Sequence, residues 1–245
     1  MNSLHEEKAQ SGAMFTRIHA RYDLLNHLLT AGLDIRWRKL LVHALEERLE
    51  EDPQHIRLLD IATGTGDLAI LLQRRYEGMR ITGSDISEGM LARARMKTRK
   101  KGMDRLQLMK ADAADLPFEK RTFDFVTVAF GVRNFPRLEH SFNEVLRVLK
   151  PGGFFYILEF GWPASRLLSF LYRVYSHTVI PLLGRLVAGD RKAYGYLTKT
   201  IRTFPYGEAL VTLLEQAGFE ARVAGRPAGG IVCLYEAKRP DQLEM

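Results

Sequence analysis

The chain has 245 residues, 46% hydrophobic and 27% charged, with no internal repeat and no Pro/Gly-rich linker; that excludes fibrous, solenoid and low-complexity classes and allows one full α/β core. Its single cysteine, Cys233, rules out an internal disulfide and a cysteine-based zinc site, and no metal is expected. A net charge of +7 favours anionic surfaces of nucleic acid or lipid, yet the densest basic cluster, Arg93, Arg95, Lys97, Arg99, Lys100 and Lys101, lacks interleaved base-stacking aromatics and reads as a solvated helix face.

The polar start MNSLHEEKAQ carries no apolar signal core, which predicts a cytoplasmic location. Disorder is expected only over 1–13 and after Arg239. A helical extension is predicted for 14–50. Apolar runs bounded by turn residues follow at 57–62, 80–83, 106–109, 123–130 and 154–160, and helix-like patterns at 67–76, 87–101 and 138–149 lie between the first and second, the second and third, and the fourth and fifth of them. Ser87 is the expected N-cap of the second of these helices. Strand and helix alternating in this way predict a mostly parallel, doubly wound sheet whose ligand lies at the carboxyl ends of its strands.

The stretch LLDIATGTGDLAI places Asp60 at the end of the first strand and Gly64 and Gly66 in the turn that starts the next helix. Glycine there lets a ligand approach the backbone. A dinucleotide fingerprint would have a third glycine where Ala69 stands, so a nicotinamide cofactor is the weaker reading. Asp85, at the end of the second strand, can accept hydrogen bonds from both hydroxyls of a ribose, which NAD and S-adenosylmethionine share. Asp60 discriminates between them: a carboxylate at the glycine loop repels a pyrophosphate but tolerates an ammonium and a sulfonium. Asp112 and Ala113, in KADAADLPF, stand where an adenine edge would rest, although an Asx turn explains Asp112 equally well. Arg133 and Asn134 leave the fourth strand at a functional position, in FDFVTVAFGVRNF.

Beyond the fifth strand, RLLSFLYRVYSHTVIPLLGRLVAGD has apolar residues at helical spacing, but Arg173, His177 and Pro181 interrupt it, so it is not a membrane span. Two readings stand: an element packed over the sheet, or a cap with a greasy mouth toward a bilayer, helped by the basic surface.

Taken together, these segments resemble the ubiquinone/menaquinone biosynthesis C-methyltransferases from about residue 14 to 238. The resemblance rests on RYDLLNHLLTAGLDIRW, LLDIATGTGDLAI, SDISEGML, DAADLPF, AFGVRN, EVLRVLKPGGFFYILEF, YGYLTKTIRTFP and GGIV. The glycine loop and LKPGG recur in many methyltransferases. The Tyr-Asp-x-x-Asn opening, Phe-Gly-x-Arg-Asn and the Tyr-x-Tyr-Leu segment are the specific part. Leu25, Thr30, Asp34 and Gly161 depart from the family pattern, which has Met, Ser, His and Ser there, and Asp34 weakens the case for a base on that helix.

The resemblance implies a class I S-adenosylmethionine-dependent methyltransferase in one domain. A Rossmann-like cofactor core is expected over 57–160, an N-terminal helical cap over 14–50, a helical insert over 164–205, and a helix with strands over 206–238. Thr65 and the Gly64 and Gly66 backbone would line the methionine portion, with Asp60 the cofactor-binding acid read above, Asp85 would bind the ribose, and Asp112 with Ala113 would contact the adenine. Arg133, Asn134 and Tyr22 would face a prenylated quinol, with Arg133 stabilising a developing oxyanion, and Tyr194 and Tyr196 would line its pocket. The proton acceptor is unassigned, His19 being one candidate. Expected partners are the quinol, a transient membrane surface at the inner face of the cytoplasmic membrane, and a second copy of the chain; nucleic acid is not expected. Demethylmenaquinol is preferred to the benzoquinol precursor of ubiquinone as acceptor, and a nicotinamide oxidoreductase is the distant alternative.

Overall fold

The computed structural model describes residues 27, 30–50, 52–103, 105–163, 165–187, 200–201 and 203–241. His19, Tyr22, Tyr194 and Tyr196 lie outside the described residues.

Seven strands form one sheet: β1 (Arg57–Ile61), β2 (Arg80–Asp85), β3 (Gln107–Lys110), β4 (Phe123–Ala129), β5 (Leu149–Phe160), β6 (Glu220–Gly225) and β7 (Val232–Lys238), in the order β3-β2-β1-β4-β5-β7-β6. The first five run parallel, and β7 is antiparallel to both β5 and β6. Chain order reverses between β1 and β4, so the crevice at their carboxyl ends is the switch point at which such sheets bind ligands.

The strands are near-continuous apolar runs because both faces of the sheet are covered. Along β1 and β4 successive side chains part company: Leu59 and Val126 join one core with Phe142 and Val145, whereas Leu58 and Phe125 join another with Trp37 and Leu41. Helices α1 (Leu33–Glu46) and α2 (Asp67–Arg75) supply the second core, and α4 (Leu138–Val148) and α6 (Glu208–Gln216) the first. In α1, Trp37, Leu41, Val42 and Leu45 recur at helical spacing and are buried. On α3 (Glu88–Lys100), Ser87 caps as expected, its hydroxyl accepting from the Met90 N–H at 3.3 Å.

Two expectations change. The fifth strand begins at Leu149 rather than at residue 154, with a register shift against β4 where Pro151 and Gly152 leave the ladder. A Cβ on Gly153 would lie 2.8 Å from the Asp124 carbonyl, so strand contact there tolerates only glycine. Within the insert, Arg166–Val187 form one helix, α5, that continues through Pro181. Among the described residues no helix is long and apolar enough to cross a membrane. Cys233 is a free, buried thiol, as a single cysteine requires.

The basic cluster on α3 is not wholly solvated. Arg95 pairs with Glu88, while the Lys97 ammonium donates to Thr65 Oγ1 at 2.8 Å and to Asp67 Oδ1 at 2.6 Å, bracing the glycine loop from below.

Candidate active site

Two cavities meet at the carboxyl ends of β1 and β4. The first follows the loops after β1, β2, β3 and β4, with Asp60, Gly64, Thr65, Asp85, Asp112 and Ala113 in its wall. The turn is built from backbone that few residues adopt. Ala62, Gly64 and Gly66 all have positive φ, at 50°, 60° and 83°. Gly66 faces α3 rather than the cavity, where a Cβ would meet the Ala94 Cβ at 3.3 Å. Glycine at this position serves close helix packing.

Asp60 is almost fully enclosed, its carboxylate accepting from Thr63 Oγ1 at 2.6 Å and Thr127 Oγ1 at 2.8 Å. Burial pushes its carboxyl up to about 6 against those two hydroxyl donors and the charge of Arg38. Such a group gains from a cationic ligand that restores its ionised form, and the ammonium and sulfonium of S-adenosylmethionine supply one. Asp85 accepts from the Gly64 N–H and the Ser87 N–H, both at 2.8 Å. It therefore clamps the loop as well as lining the cavity. Burial raises its carboxyl above the ordinary value. Asp112 makes the Asx turn, accepting from the Ala114 N–H at 2.9 Å, and still lines the cavity with Ala113. Ile86 and Met90 add apolar surface beside the acids, so acids for the polar groups and flat apolar surface for a base are both present. The residues fit S-adenosylmethionine.

The second cavity is mostly apolar. Trp37, Phe160, Leu168, Leu171, Tyr172 and Ile201 line it, from α1, the end of β5, α5 and the segment after it. Burial pushes the Tyr172 hydroxyl up to about 12, the Arg133 charge opposing that rise. Arg38 and Phe130 are the described residues common to both walls. Phe130 sits between Trp37 at 6.2 Å and Phe160 at 4.8 Å, centroid to centroid, on a backbone with φ 59°.

Arg133 and Asn134, next to each other on the short turn after β4, separate. Arg133 lines the apolar cavity, whereas Asn134 lines the acid-rimmed one, which corrects the expectation that both face the same ligand. The Arg133 guanidinium is buried, donating from one terminal nitrogen to the Phe130 carbonyl at 2.5 Å and to Glu159 at 2.7 Å. The fully buried Glu159 carboxylate also accepts the backbone N–H groups of Arg133 and Phe160. A charge-compensated fork of this kind is rigid and preorganised.

Sequence reasoning missed a second buried cation-acid group. Asp34 Oδ2 accepts from Arg38 at 2.6 Å, and Oδ1 from Thr30 and from His27 Nδ1, both at 2.9 Å. Burial alone would raise the Asp34 carboxyl, but His27, Arg38 and Thr30 together hold it below the usual range. The available signal was the four-residue spacing of Asp34 and Arg38 on one helix face. His27 arrives by a turn no spacing rule anticipates, closed by a 2.7 Å bond from the Gly32 N–H to the His27 carbonyl.

The sequence profile of the ubiE/COQ5 methyltransferase family matches residues 1–239. The chain is 45% identical to the demethylmenaquinone methyltransferase of Thermus thermophilus, over 93% of this chain and 100% of that protein. It is 40% identical to the ubiquinone/menaquinone biosynthesis C-methyltransferase UbiE of Paracoccus denitrificans, over 94% and 91%. Among solved structures, a SAM-dependent methyltransferase from Aquifex aeolicus superposes with a TM-score of 0.59 at 20% identity, covering 81% of this chain and 89% of that one, a likeness of fold alone.

Proposed function

The chain belongs to the ubiE/COQ5 methyltransferase family, and from that membership we propose that it moves a methyl group from S-adenosylmethionine to a ring carbon of a prenylated quinol, demethylmenaquinol first. The observation that carries this reading is the shared wall: an acid-rimmed cavity fitted to a cationic nucleoside and an apolar cavity fitted to a quinol head meet at Arg38 and Phe130. The preference for the naphthoquinol follows the name of the Thermus relative, while the Paracoccus relative's name covers both quinones.

S-adenosylmethionine supplies an electrophilic methyl on a sulfonium. Asp60, with Thr63 and Thr127 holding its oxygens, neutralises the positive end, Thr65 and the Gly64 backbone bound the methionine portion, Asp85 takes the ribose, and Asp112 with Ala113 flanks the adenine. On the acceptor side, Phe130, Trp37 and Phe160 give the ring flat apolar walls. A neutral phenol is a poor carbon nucleophile, so the ring needs electron density released from a neighbouring hydroxyl. Arg133, held by Glu159, stabilises the developing oxyanion without reorganising. Asn134 orients from the cofactor side.

The tail leaves along α5. Leu168, Leu171, Tyr172 and Tyr175 of this helix line the apolar cavity, and Leu167, Phe170, Leu171 and Val174 are exposed at helical spacing. Leu171 belongs to both sets, so the interior surface continues to the outside. A bilayer is the natural acceptor of such a stripe, which supports transient attachment to a membrane surface.

The test is turnover with methyl-labelled S-adenosylmethionine and two reduced acceptors in detergent, demethylmenaquinol and the demethylated ubiquinol precursor. Label on the naphthoquinol alone is the expected result. Label on both identifies a dual-specificity enzyme, and label on neither discards the quinol reading.

A further inference from the structure

The methionine end of S-adenosylmethionine carries an ammonium, a sulfonium and a carboxylate. The first two suit an acid-rimmed cavity, and the third is repelled by it. Among the described residues, the wall of that cavity holds four acids, Asp60, Asp67, Asp85 and Asp112, and one basic side chain, Arg38.

The glycine turn does not supply a counter-charge. The N–H groups of Thr63, Gly64 and Gly66 donate to Ser84, Asp85 and Thr63, so they are engaged within the turn. Lys97 is taken up by Asp67 and Thr65 and lines neither cavity. Asn134 can donate a hydrogen bond but carries no charge.

Arg38 has donors to offer. It is buried on α1, where Asp34 Oδ2 accepts from one terminal nitrogen at 2.6 Å. A guanidinium has five N–H donors in a fixed plane, and among the described residues this one makes no other hydrogen bond. Two contacts hold it in place, the ion pair to Asp34 and the Phe130 ring beneath its central carbon. Burial raises the Asp60 carboxyl, and the Arg38 charge is among the influences that oppose the rise, so acid and cation are within electrostatic reach of each other. The ammonium and carboxylate of an amino acid share one carbon. A ligand that turns the first toward Asp60 turns the second toward Arg38.

We propose that Arg38, positioned by Asp34, is the receptor for the carboxylate of S-adenosylmethionine. Helix α1 thereby completes a cofactor site whose other described walls come from the loops after the strands and the start of α2 and α3. The proposal rests on the cofactor and is independent of which acceptor is methylated. Because Arg38 also lines the apolar cavity, the anchored end of the cofactor lies at the partition between donor and acceptor.

The experiment measures binding by calorimetry, without any acceptor, for two ligands: S-adenosylmethionine and its decarboxylated form, which keeps the amine and the sulfonium. Wild type is compared with Arg38→Gln/Asp34→Asn, a double variant that strands neither charge, and with Arg38→Lys, which keeps the charge but not the planar fork. Wild type is expected to prefer S-adenosylmethionine by about tenfold or more. The double variant should lose that preference while binding the decarboxylated ligand within about threefold of wild type, and Arg38→Lys should keep part of the preference.

A wild type that binds the two ligands equally overturns the proposal. So does a double variant that keeps the wild-type preference, which would give the carboxylate to the start of α2, and so does a folded double variant that loses both ligands to the same degree. If the double variant does not fold, Arg38→Lys decides: a preference equal to that of wild type overturns the receptor. A wild type that binds neither ligand overturns the cofactor, and the receptor with it. The quinol reading can fail separately, since turnover has no part in these measurements.

Discussion

The Arg38 guanidinium carbon lies 5.4 Å from the centre of the Phe130 ring. This cation-π pair is the partition between the acid-rimmed cavity and the apolar one. A methyl group that passes between them passes beside it, so both side chains set the line along which donor and acceptor meet.

Replacing Phe130 with Leu keeps apolar volume but loses the flat face against which a ring can lie. The expected result is an unchanged affinity for S-adenosylmethionine with kcat lowered roughly ten- to a hundredfold, since small misalignments of reacting groups are that costly. Calorimetry on the cofactor and steady-state kinetics on the quinol check the two halves separately.

Arg133 and Glu159 form a buried pair, 4% and 0% exposed. Truncating one partner strands the other charge, at about 3–5 kcal/mol, whereas replacing both with apolar residues of similar size is close to neutral. Arg133→Met and Glu159→Gln are each expected to lower the thermal midpoint markedly, and Arg133→Met/Glu159→Gln, which strands neither charge and keeps a carboxamide oxygen for the Arg133 and Phe160 N–H groups, to recover part of it. The double variant separates structure from chemistry: folded and cofactor-binding, it should still lack methyl transfer if the guanidinium serves the oxyanion.

The strand-helix rhythm, the glycine turn and the acids at the strand ends were legible because each is local: Asp60, Asp85 and Asp112 stand at the ends of runs whose periodicity marks them. The separation of Arg133 from Asn134 was not, since it depends on the direction of a three-residue turn after β4, held by the fully buried Glu159 from another strand. Nor was the His27–Asp34–Arg38 group, which needs the chain reversal through Ala31 and Gly32, both at positive φ. The packing of Gly66 against Ala94 was not legible either, since it depends on how closely α3 approaches the turn.

Asp60 sets a pH dependence. Its carboxyl is pushed up to about 6 in the folded chain against an ordinary 3.8. Between those values the unfolded state has released a proton that the native state keeps, so this group's contribution to stability falls as pH rises through the window, by about 3 kcal/mol in all. A cationic ligand favours the ionised form, so S-adenosylmethionine is expected to bind more tightly as pH rises through about 6. Thermal shifts with saturating cofactor should be larger above that pH than below it. Asp60→Asn should flatten both curves, weakening cofactor binding while leaving the free protein at neutral pH no less stable.

Leu167 and Phe170 are 69% and 61% exposed, and neither lines the apolar cavity. Leu167→Ser/Phe170→Ser should therefore leave folding and turnover in detergent unchanged. With the quinol embedded in anionic vesicles, the same variant is expected to sediment less with lipid and to turn over several-fold more slowly. Equal co-sedimentation of variant and wild type would remove α5 as the membrane contact.

Carbon methylation of a quinol is the centre of this account, and it is tested most directly by the position of the transferred carbon. The reaction is run with S-adenosylmethionine carrying a 13C methyl and a short-tailed demethylmenaquinol kept reduced, and the product is read by 13C NMR. The account predicts one new signal, from a methyl bonded to the aromatic ring carbon beside a hydroxyl. A signal from a methoxy carbon, or no transfer from a cofactor that binds tightly, would contradict it.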